Sequence, residues 1–389
     1  MLNEADLEAA VAEGIVTRQH AEALRAFSLA RRSLPGSWDA DDERFRFLNG
    51  FNDVFLALGV ALLIAAFLGF VWSPKIDYNV ARSPIWPFVT APIVLWGLAE
   101  LLITRHRAVL PGIVIAAGFV GFVALAATTY WPSEKLTTIT SARIAPLGGG
   151  NPGEVVIRAG EPSPRVVRYW LEYWSVAGAA GLLAASAFYW RFRLPFALLL
   201  IAGGAALLIK NAVMLASGAD HIGLNWAIAL LVGLAIFVAA LCYDVRDPTR
   251  LTRRADCGFW LHLAAAPLII NPLVARIVGD TANNSSLAPE NIDIWPAVAI
   301  IAMFGMLSLI ALIIDRRALL VSSLVYLGAA IGYAFVKAVA PPGAVVPVTL
   351  AVVGVLVLTL GLGWRRLRGL VLAPYHGQTW LKYLPPVHA

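Results

Sequence analysis

Charged residues are scarce in this 389-residue chain. They make up 14% of it, whereas 59% of the residues are hydrophobic and the mean hydropathy is +0.75. A soluble domain carries about 25% charged residues, so most of this chain must be solvated by lipid or by other apolar helices. The composition therefore excludes a soluble globular protein and predicts an all-α polytopic membrane protein.

The chain has only two cysteines, no cluster of histidines and no complete nucleotide-binding motif. The two cysteines, Cys242 and Cys257, flank one short loop and are expected to be free thiols. The six histidines are scattered, so no metal site is predicted. Gly148, Gly150 and Gly153 match G-x-G-x-x-G, but no predicted helix follows them to bind a pyrophosphate. We predict no cofactor and, since no paired carboxylates or nucleophile-base set stands out, no catalytic residue. An enzyme acting on lipid-soluble substrates therefore ranks third, behind the two functions given below.

Basic residues exceed acidic ones, which gives a net charge of +6, but they lie in short clusters between apolar runs. Residues 1–50 hold six arginines against nine acidic residues, a net charge of minus three that repels phosphate. Nucleic acid is therefore not a predicted partner. The basic clusters are expected to set the orientation of the chain in the lipid bilayer instead.

Ten apolar runs are long enough to cross a membrane. They are residues 51–72, 84–104, 109–131, 170–190, 194–216, 224–243, 257–278, 294–314, 318–337 and 345–364. We expect a cytoplasmic helical module and linker over residues 1–50, a ten-span transmembrane domain over 51–364, and a cytoplasmic tail over 365–389.

The charges of the loops predict the orientation of these spans. With a cytoplasmic N-terminus, 20 of the 30 Lys and Arg residues lie in cytoplasmic segments, seven lie outside and three lie within spans. The positive-inside rule therefore places both termini in the cytoplasm. Because the chain uses 25 arginines and only five lysines, a bacterial inner membrane is favoured.

Two segments outside the spans have recognisable patterns. Residues 1–33 are predicted to form two short amphipathic helices, with Gly14 ending the first and Thr17 capping the second. This helical pair could bind a cytoplasmic protein partner. Residues 132–169 form the one sizeable outside loop, whose strand-like stretches predict a small β-hairpin.

Ionisable and amide residues inside spans are the candidate binding residues, because each is costly in lipid. Lys210, Asn211, Asn271, Arg276 and Lys337 fall toward the outer ends of the fifth, seventh and ninth spans. One interpretation is an outward-facing polar cavity that binds an anion. The two amides favour this interpretation, because amides in lipid need partners. The alternative is that the long basic side chains simply reach the outer interface.

Three further residues are candidates for coupling the helical module to the bundle. Asn52 and Asp53 lie at the start of the first span, where they could instead be solvated or cap the helix. Glu100 lies in the inner third of the second span, and the alternative there is a simple ion pair with Arg105 or Arg107.

The N-terminal sixth of the chain resembles a known group of proteins. Residues 7–21 (LEAAVAEGIVTRQHA), 45–47 (FRF) and 50–55 (GFNDVF) are similar to a group of uncharacterised bacterial membrane proteins defined by a domain of unknown function. The resemblance implies a cytoplasmic helical pair before many spans. It implies no activity and no functional residues.

The sequence leaves two functions open. The first is transport of a small, anionic solute, motivated by the basic and amide residues of spans five, seven and nine. The second is a scaffold or sensor without transport activity, whose N-terminal helices bind a cytoplasmic partner.

Overall fold

The computed structural model describes residues 7, 10–24, 51–71, 86–129, 164–217, 222–248, 250, 252–282, 295–337, 342–375 and 378–385. The chain divides into two compact units, residues 1–50 and residues 51–389. Apart from short connections, the described residues are helical.

The described part of the N-terminal unit is a pair of short helical segments, residues 10–12 and 18–24. Gly14 lies between them with a φ of 71°, a left-handed conformation that glycine adopts without steric cost. The hydroxyl oxygen of Thr17 accepts a hydrogen bond from the His20 amide at 3.4 Å, which caps the second segment. The predicted turn and cap are therefore confirmed.

Ten α-helices follow in the described residues of the second unit. They are α1 (Phe51–Val71), α2 (Trp86–Ala99), α3 (Val109–Thr129), α4 (Pro164–Phe192), α5 (Phe196–Ala216), α6 (Ile222–Val245), α7 (Arg253–Ala282), α8 (Trp295–Ile314), α9 (Ala318–Lys337) and α10 (Pro342–Leu372). A π-helical turn, Glu100–Arg105, extends α2, and two 3₁₀ turns, Ala373–Tyr375 and Thr379–Tyr383, follow α10. Eight of the ten, all but α4 and α9, contain an apolar stretch long enough to cross a membrane. The all-α polytopic membrane fold is confirmed.

Each helix overlaps one predicted span, and the two largest differences from the predicted ends are at the start of α4 and the end of α10. Helix α4 begins at Pro164 instead of residue 170, since proline is well tolerated in the first turn of a helix. Helix α10 continues past residue 364 to Leu372, because no proline interrupts the chain before Pro374. Residues 365–372, predicted as tail, are therefore helical.

The predicted β-hairpin cannot be compared with the fold, because residues 130–163 lie outside the described residues. The last six residues of the predicted loop, 164–169, belong to α4.

Four pairs of consecutive helices form αα-hairpins: α2–α3, α4–α5, α6–α7 and α8–α9. One residue in each connection has a left-handed backbone, with φ of 52° at Arg107, 53° at Arg193, 55° at Arg250 and 62° at Asp315. This conformation costs a non-glycine residue about 1–2 kcal/mol, so contacts around it must hold it in place. The four turns lie at the same end of the bundle, here named the turn face, which the charge distribution predicts to be cytoplasmic.

The described residues of the bundle form two main hydrophobic cores. The first joins α1 to α5 and includes Val60, Ala91, Ile115, Phe119 and Phe188. The second joins α7 to α10 and includes Ile270, Phe304, Ala311, Leu327 and Trp364. A smaller cluster, Ala202, Ala240, Leu261 and Ala264, joins α5, α6 and α7. Helices α5 to α7 therefore connect two separately packed groups.

Gly233→Ala is expected to lower the free energy of unfolding by about 1–3 kcal/mol through overpacking. A β-carbon at Gly233 in α6 would stand 2.9 Å from the β-carbon and 3.0 Å from the carbonyl carbon of Leu268 in α7. Gly203→Ala in α5 is the matched control: its β-carbon would meet nothing within 4 Å, and it should gain up to about 1 kcal/mol of helix propensity. Unfolding of the detergent-solubilised variants measures both; equal stability of the two would contradict close α6–α7 packing.

Candidate functional site

The two predicted binding amides hold helices together. Asn211 is 1% exposed, and its Nδ2 donates to the backbone carbonyl of Leu171 at 3.3 Å, which links α5 to α4. Asn271 Oδ1 accepts a hydrogen bond from the Tyr326 hydroxyl at 2.6 Å, which links α7 to α9. The structure thus places the two amides in different helix interfaces, α4–α5 and α7–α9.

The three predicted binding cations lie on three helices. Lys210 is half-buried on α5, and Arg276 is exposed on α7, which packs against α5. Lys337 is the last residue of α9, and its side chain lies outside the described part of the chain. All three lie toward the end of the bundle opposite the turn face.

The predicted coupling residues lie at the turn-face ends of α1 and α2. Asn52 is exposed, whereas Asp53 is half-buried and its Oδ2 is buried without a hydrogen-bond partner among the described residues. Glu100 accepts from Arg191 Nη2 at 2.7 Å. Its partner is therefore on the adjacent α4, whereas the sequence suggested Arg105 or Arg107. Both side chains are solvent-accessible, so this pair contributes little stability.

A buried ionic triad, which the sequence did not predict, lies between α6, α7 and the α8–α9 turn. It consists of Asp244, His262 and Arg316. His262 Nε2 lies 2.9 Å from Asp244 Oδ2, and Arg316 Nε donates to the same oxygen at 3.1 Å. Arg316 Nη2 donates to Asp244 Oδ1 and, at 3.1 Å, to the carbonyl of Ala255. Arg316 thus donates hydrogen bonds to both carboxylate oxygens of Asp244 and fixes the α8–α9 turn against α6 and α7.

Residue size makes room for the triad. Gly258 lies in α7 directly beside Asp244, and a β-carbon there would stand 2.5 Å from Asp244 Oδ1.

Other contacts hold the elements around the triad. Asp247 Oδ2 accepts hydrogen bonds from the amide and the hydroxyl of Thr252 at 2.9 and 2.6 Å, which fixes the α6–α7 turn. The ring of Phe237 packs edge-on against His262, with centroids 5.2 Å apart.

A second ionic cluster, here named the Asp315 cluster, is next to the triad because Asp315 directly precedes Arg316 in the chain. It consists of Asp315, Arg250, Trp364 and Arg368. Asp315 Oδ2 accepts from Arg250 Nη1 at 3.0 Å, and Asp315 Oδ1 accepts from Trp364 Nε1 at 2.7 Å. Arg368 on α10 lies 3.9 Å from Asp315 Oδ2 and donates to the Pro385 carbonyl at 2.7 Å. The two left-handed turn residues, Arg250 and Asp315, are therefore bound to each other.

Together the triad and the Asp315 cluster tie α6, α7, α8, α9 and α10 at the turn face. Buried ionisable residues in a membrane bundle are costly and commonly mark solute or ion paths. A metal ion does not suit the triad, because Asp244 and His262 offer only two ligands and Arg316 would repel a cation. Asp244 and His262 are groups that can bind protons, and they lie within an ionic contact between helices.

The sequence did carry a signal for these residues. Asp244, Asp247 and Asp315 are acids at the ends of apolar runs in two turns that otherwise carry arginines. An orientation signal needs only the arginines. Acids beside them indicate ion pairs across the turns, although not which turns meet.

Comparison with protein-family models, with curated proteins and with solved structures finds no match to this chain. The membrane fold and the ionic clusters are therefore the basis for a functional proposal.

Asp244→Asn and Arg316→Met are each expected to lower the free energy of unfolding by about 3–5 kcal/mol, because each leaves a buried partner uncompensated. The double variant should lose less than the sum of the two, since the residues bond directly. The control is the exposed pair Arg168–Glu172, 3.0 Å apart on α4, where Arg168→Met should cost no more than about 0.5 kcal/mol. Denaturant unfolding in detergent gives all four values; additive losses for Asp244 and Arg316 would refute direct coupling.

Proposed function

We propose that this protein transports a small anionic solute, and that the triad and the Asp315 cluster close the solute path at the turn face. The observation that carries the proposal is the buried triad, in which Asp244, His262 and Arg316 bring three ionisable side chains together between membrane helices. A purely structural contact at this position could be made by apolar side chains at lower cost in desolvation.

The division of the bundle supports a moving path. The α1–α5 core and the α7–α10 core are packed separately, and the smaller cluster of Ala202, Ala240, Leu261 and Ala264 joins α5, α6 and α7. Many transporters expose a site alternately by rocking one packed group of helices against another. In this chain such a motion would open or close the helix ends that the two ionic clusters hold.

The charge at the opposite end of the bundle favours an anion. Lys210, Arg276 and Lys337 lie on α5, α7 and α9, on the order of 20–35 Å along each helix from its turn-face end. Three cations at this end attract negative solutes. In the proposal Asn211 and Asn271 hold these helices in register.

The cellular setting is part of the proposal. We place the protein in a bacterial inner membrane with both termini, and hence the turn face, in the cytoplasm. The loop charges and the resemblance of the N-terminal residues to uncharacterised bacterial membrane proteins support this placement.

Transport is tested by reconstituting the purified protein into liposomes and recording currents on solid-supported membranes for chloride, phosphate and glutamate. At least one anion should give a current above that of protein-free liposomes. Lys210→Met and Arg276→Met should each reduce its apparent affinity about tenfold, the equivalent of one lost charge contact of about 1.4 kcal/mol. Arg168→Met, at the same end of the bundle on α4, should have no effect. Absence of current for all three anions contradicts the proposal.

A second candidate function, a sensor or scaffold, is favoured by the N-terminal unit. Ile15 and Leu24 are 71% and 47% exposed, which leaves apolar surface that a cytoplasmic partner protein could cover. In this alternative Asp53, whose Oδ2 is buried without a described partner, transmits the state of α1 to residues 1–50.

Asp53→Leu distinguishes this alternative. If Asp53 couples α1 to the N-terminal unit, its loss should change the rate of tryptic cleavage after the arginines of residues 1–50 severalfold while membrane insertion is unchanged. Asn52→Leu is the matched control, because Asn52 is exposed. Identical cleavage rates in wild type and both variants would rule out coupling through Asp53.

A further inference from the structure

The imidazole of His262 is fully buried and is held through one nitrogen only. It is 0% exposed, and Nε2 lies 2.9 Å from Asp244 Oδ2. Nδ1 is buried and has no hydrogen-bond partner among the described residues. A buried polar atom without a partner is uncommon and calls for an explanation.

The hydrogen bonds define which nitrogen carries the hydrogen. Asp244 accepts from Arg316 at both carboxylate oxygens, as an ionised carboxylate does. An ionised carboxylate can only accept, so His262 Nε2 must donate to it. In the neutral ring Nδ1 is then the nitrogen with the free lone pair, and it is the atom that takes up a proton.

Proton uptake at Nδ1 changes the charge balance around Asp244. Among the described residues, the charged groups that act on the ring are Asp244 of α6, Arg316 of the α8–α9 turn and Arg250 of the α6–α7 turn. With a neutral ring, the triad of one carboxylate and one guanidinium has no net charge. With a protonated ring it carries one positive charge, and two cations compete for Asp244 Oδ2.

We infer that His262 and Asp244 form a proton-binding site that releases Arg316, so that the proton is the coupling ion of the transporter. This inference rests on the proposed function. The imidazolium binds Asp244, repels Arg316, and so weakens the contact that fixes the α8–α9 turn. Because Asp315 precedes Arg316 in the chain, displacement of Arg316 also moves Asp315 and so weakens its hydrogen bonds to Arg250 and Trp364. One proton thereby loosens both contacts at the turn face.

Electron spin resonance distances test the inference on the full chain in lipid nanodiscs. Spin labels are placed at Arg246→Cys, beside the α6–α7 turn, and Arg366→Cys, on α10, after Cys242→Ala and Cys257→Ala. Both labelled positions are exposed. Wild type should show one distance at about pH 8 and a second, longer distance as the pH is lowered through the ordinary histidine range to about pH 4. For one coupled proton, the ratio of the two populations changes by at most about tenfold per pH unit.

His262→Gln should abolish the pH dependence, because glutamine can still donate to Asp244 but cannot take up a proton. His106→Gln is the matched control, since His106 is exposed at the α2–α3 turn and should behave as wild type. If His262→Gln does not fold, His262→Asn replaces it, and the wild-type pH series alone still decides. A wild-type distribution that does not change with pH overturns the inference, and so does a glutamine variant that keeps the change.

The same preparation separates this inference from the transport proposal. A pH-dependent distance without current for any of the three anions upholds the proton site and overturns transport. An anion current that ignores a pH gradient, together with pH-independent distances, upholds transport and overturns the proton site. An anion current that a pH gradient drives, and that His262→Gln uncouples from the gradient, supports both.

Discussion

The ion pair between Arg316 and Asp244 is the contact on which the arrangement of α6 to α10 depends. Arg316 lies in a turn, yet it is as buried as the hydrophobic core and bonds the end of α6 and the Ala255 carbonyl of α7. Burying two charges costs about as much as their attraction returns, so the pair adds little net stability. The pair instead determines which position of the α8–α9 turn the fold adopts. A guanidinium that must meet one carboxylate and one carbonyl allows a single position of the α8–α9 turn, whereas apolar side chains would allow many.

The same turn geometry occurs four times in the described bundle, but only two turns have become ionic sites. Arg107 and Arg193 have the same left-handed backbone as Arg250 and Asp315. In the first two hairpins the arginines at the turns are exposed. In the last two, Asp244, Asp247 and Asp315 accompany them and are buried or nearly so. Of the four described hairpin turns, the α6–α7 and α8–α9 turns are thus the two with buried or nearly buried acids, and this difference locates the candidate site in α6 to α10.

The sequence predicted the parts of the structure that depend on local composition. Apolar runs long enough for a membrane gave ten helices at the right places, and Gly14 and Thr17 gave the N-terminal turn and cap. It missed contacts that depend on which hairpins lie side by side. Glu100 pairs with Arg191, and Arg316 pairs with Asp244, across 91 and 72 residues of chain. Hydropathy contains no information about such pairings. The positive-inside rule accounts for Arg250 and Arg316 by orientation alone, although both are bound to acids within the bundle.

A nearly balanced ion pair suits a contact that must open and close. An apolar interface of the same area would be stabilised by about 25 cal/mol for each Å² removed from water, and a single charge could not open it. When the Arg316–Asp244 pair opens to water, the two charges lose their mutual attraction and regain their hydration, and these two free energies are of similar size. A neighbouring proton, whose binding changes the balance by about 1.4 kcal/mol per pH unit, is then enough to shift the populations of the two states. The burial of His262 against this pair, and not on the nearby surface, is what gives that proton its effect.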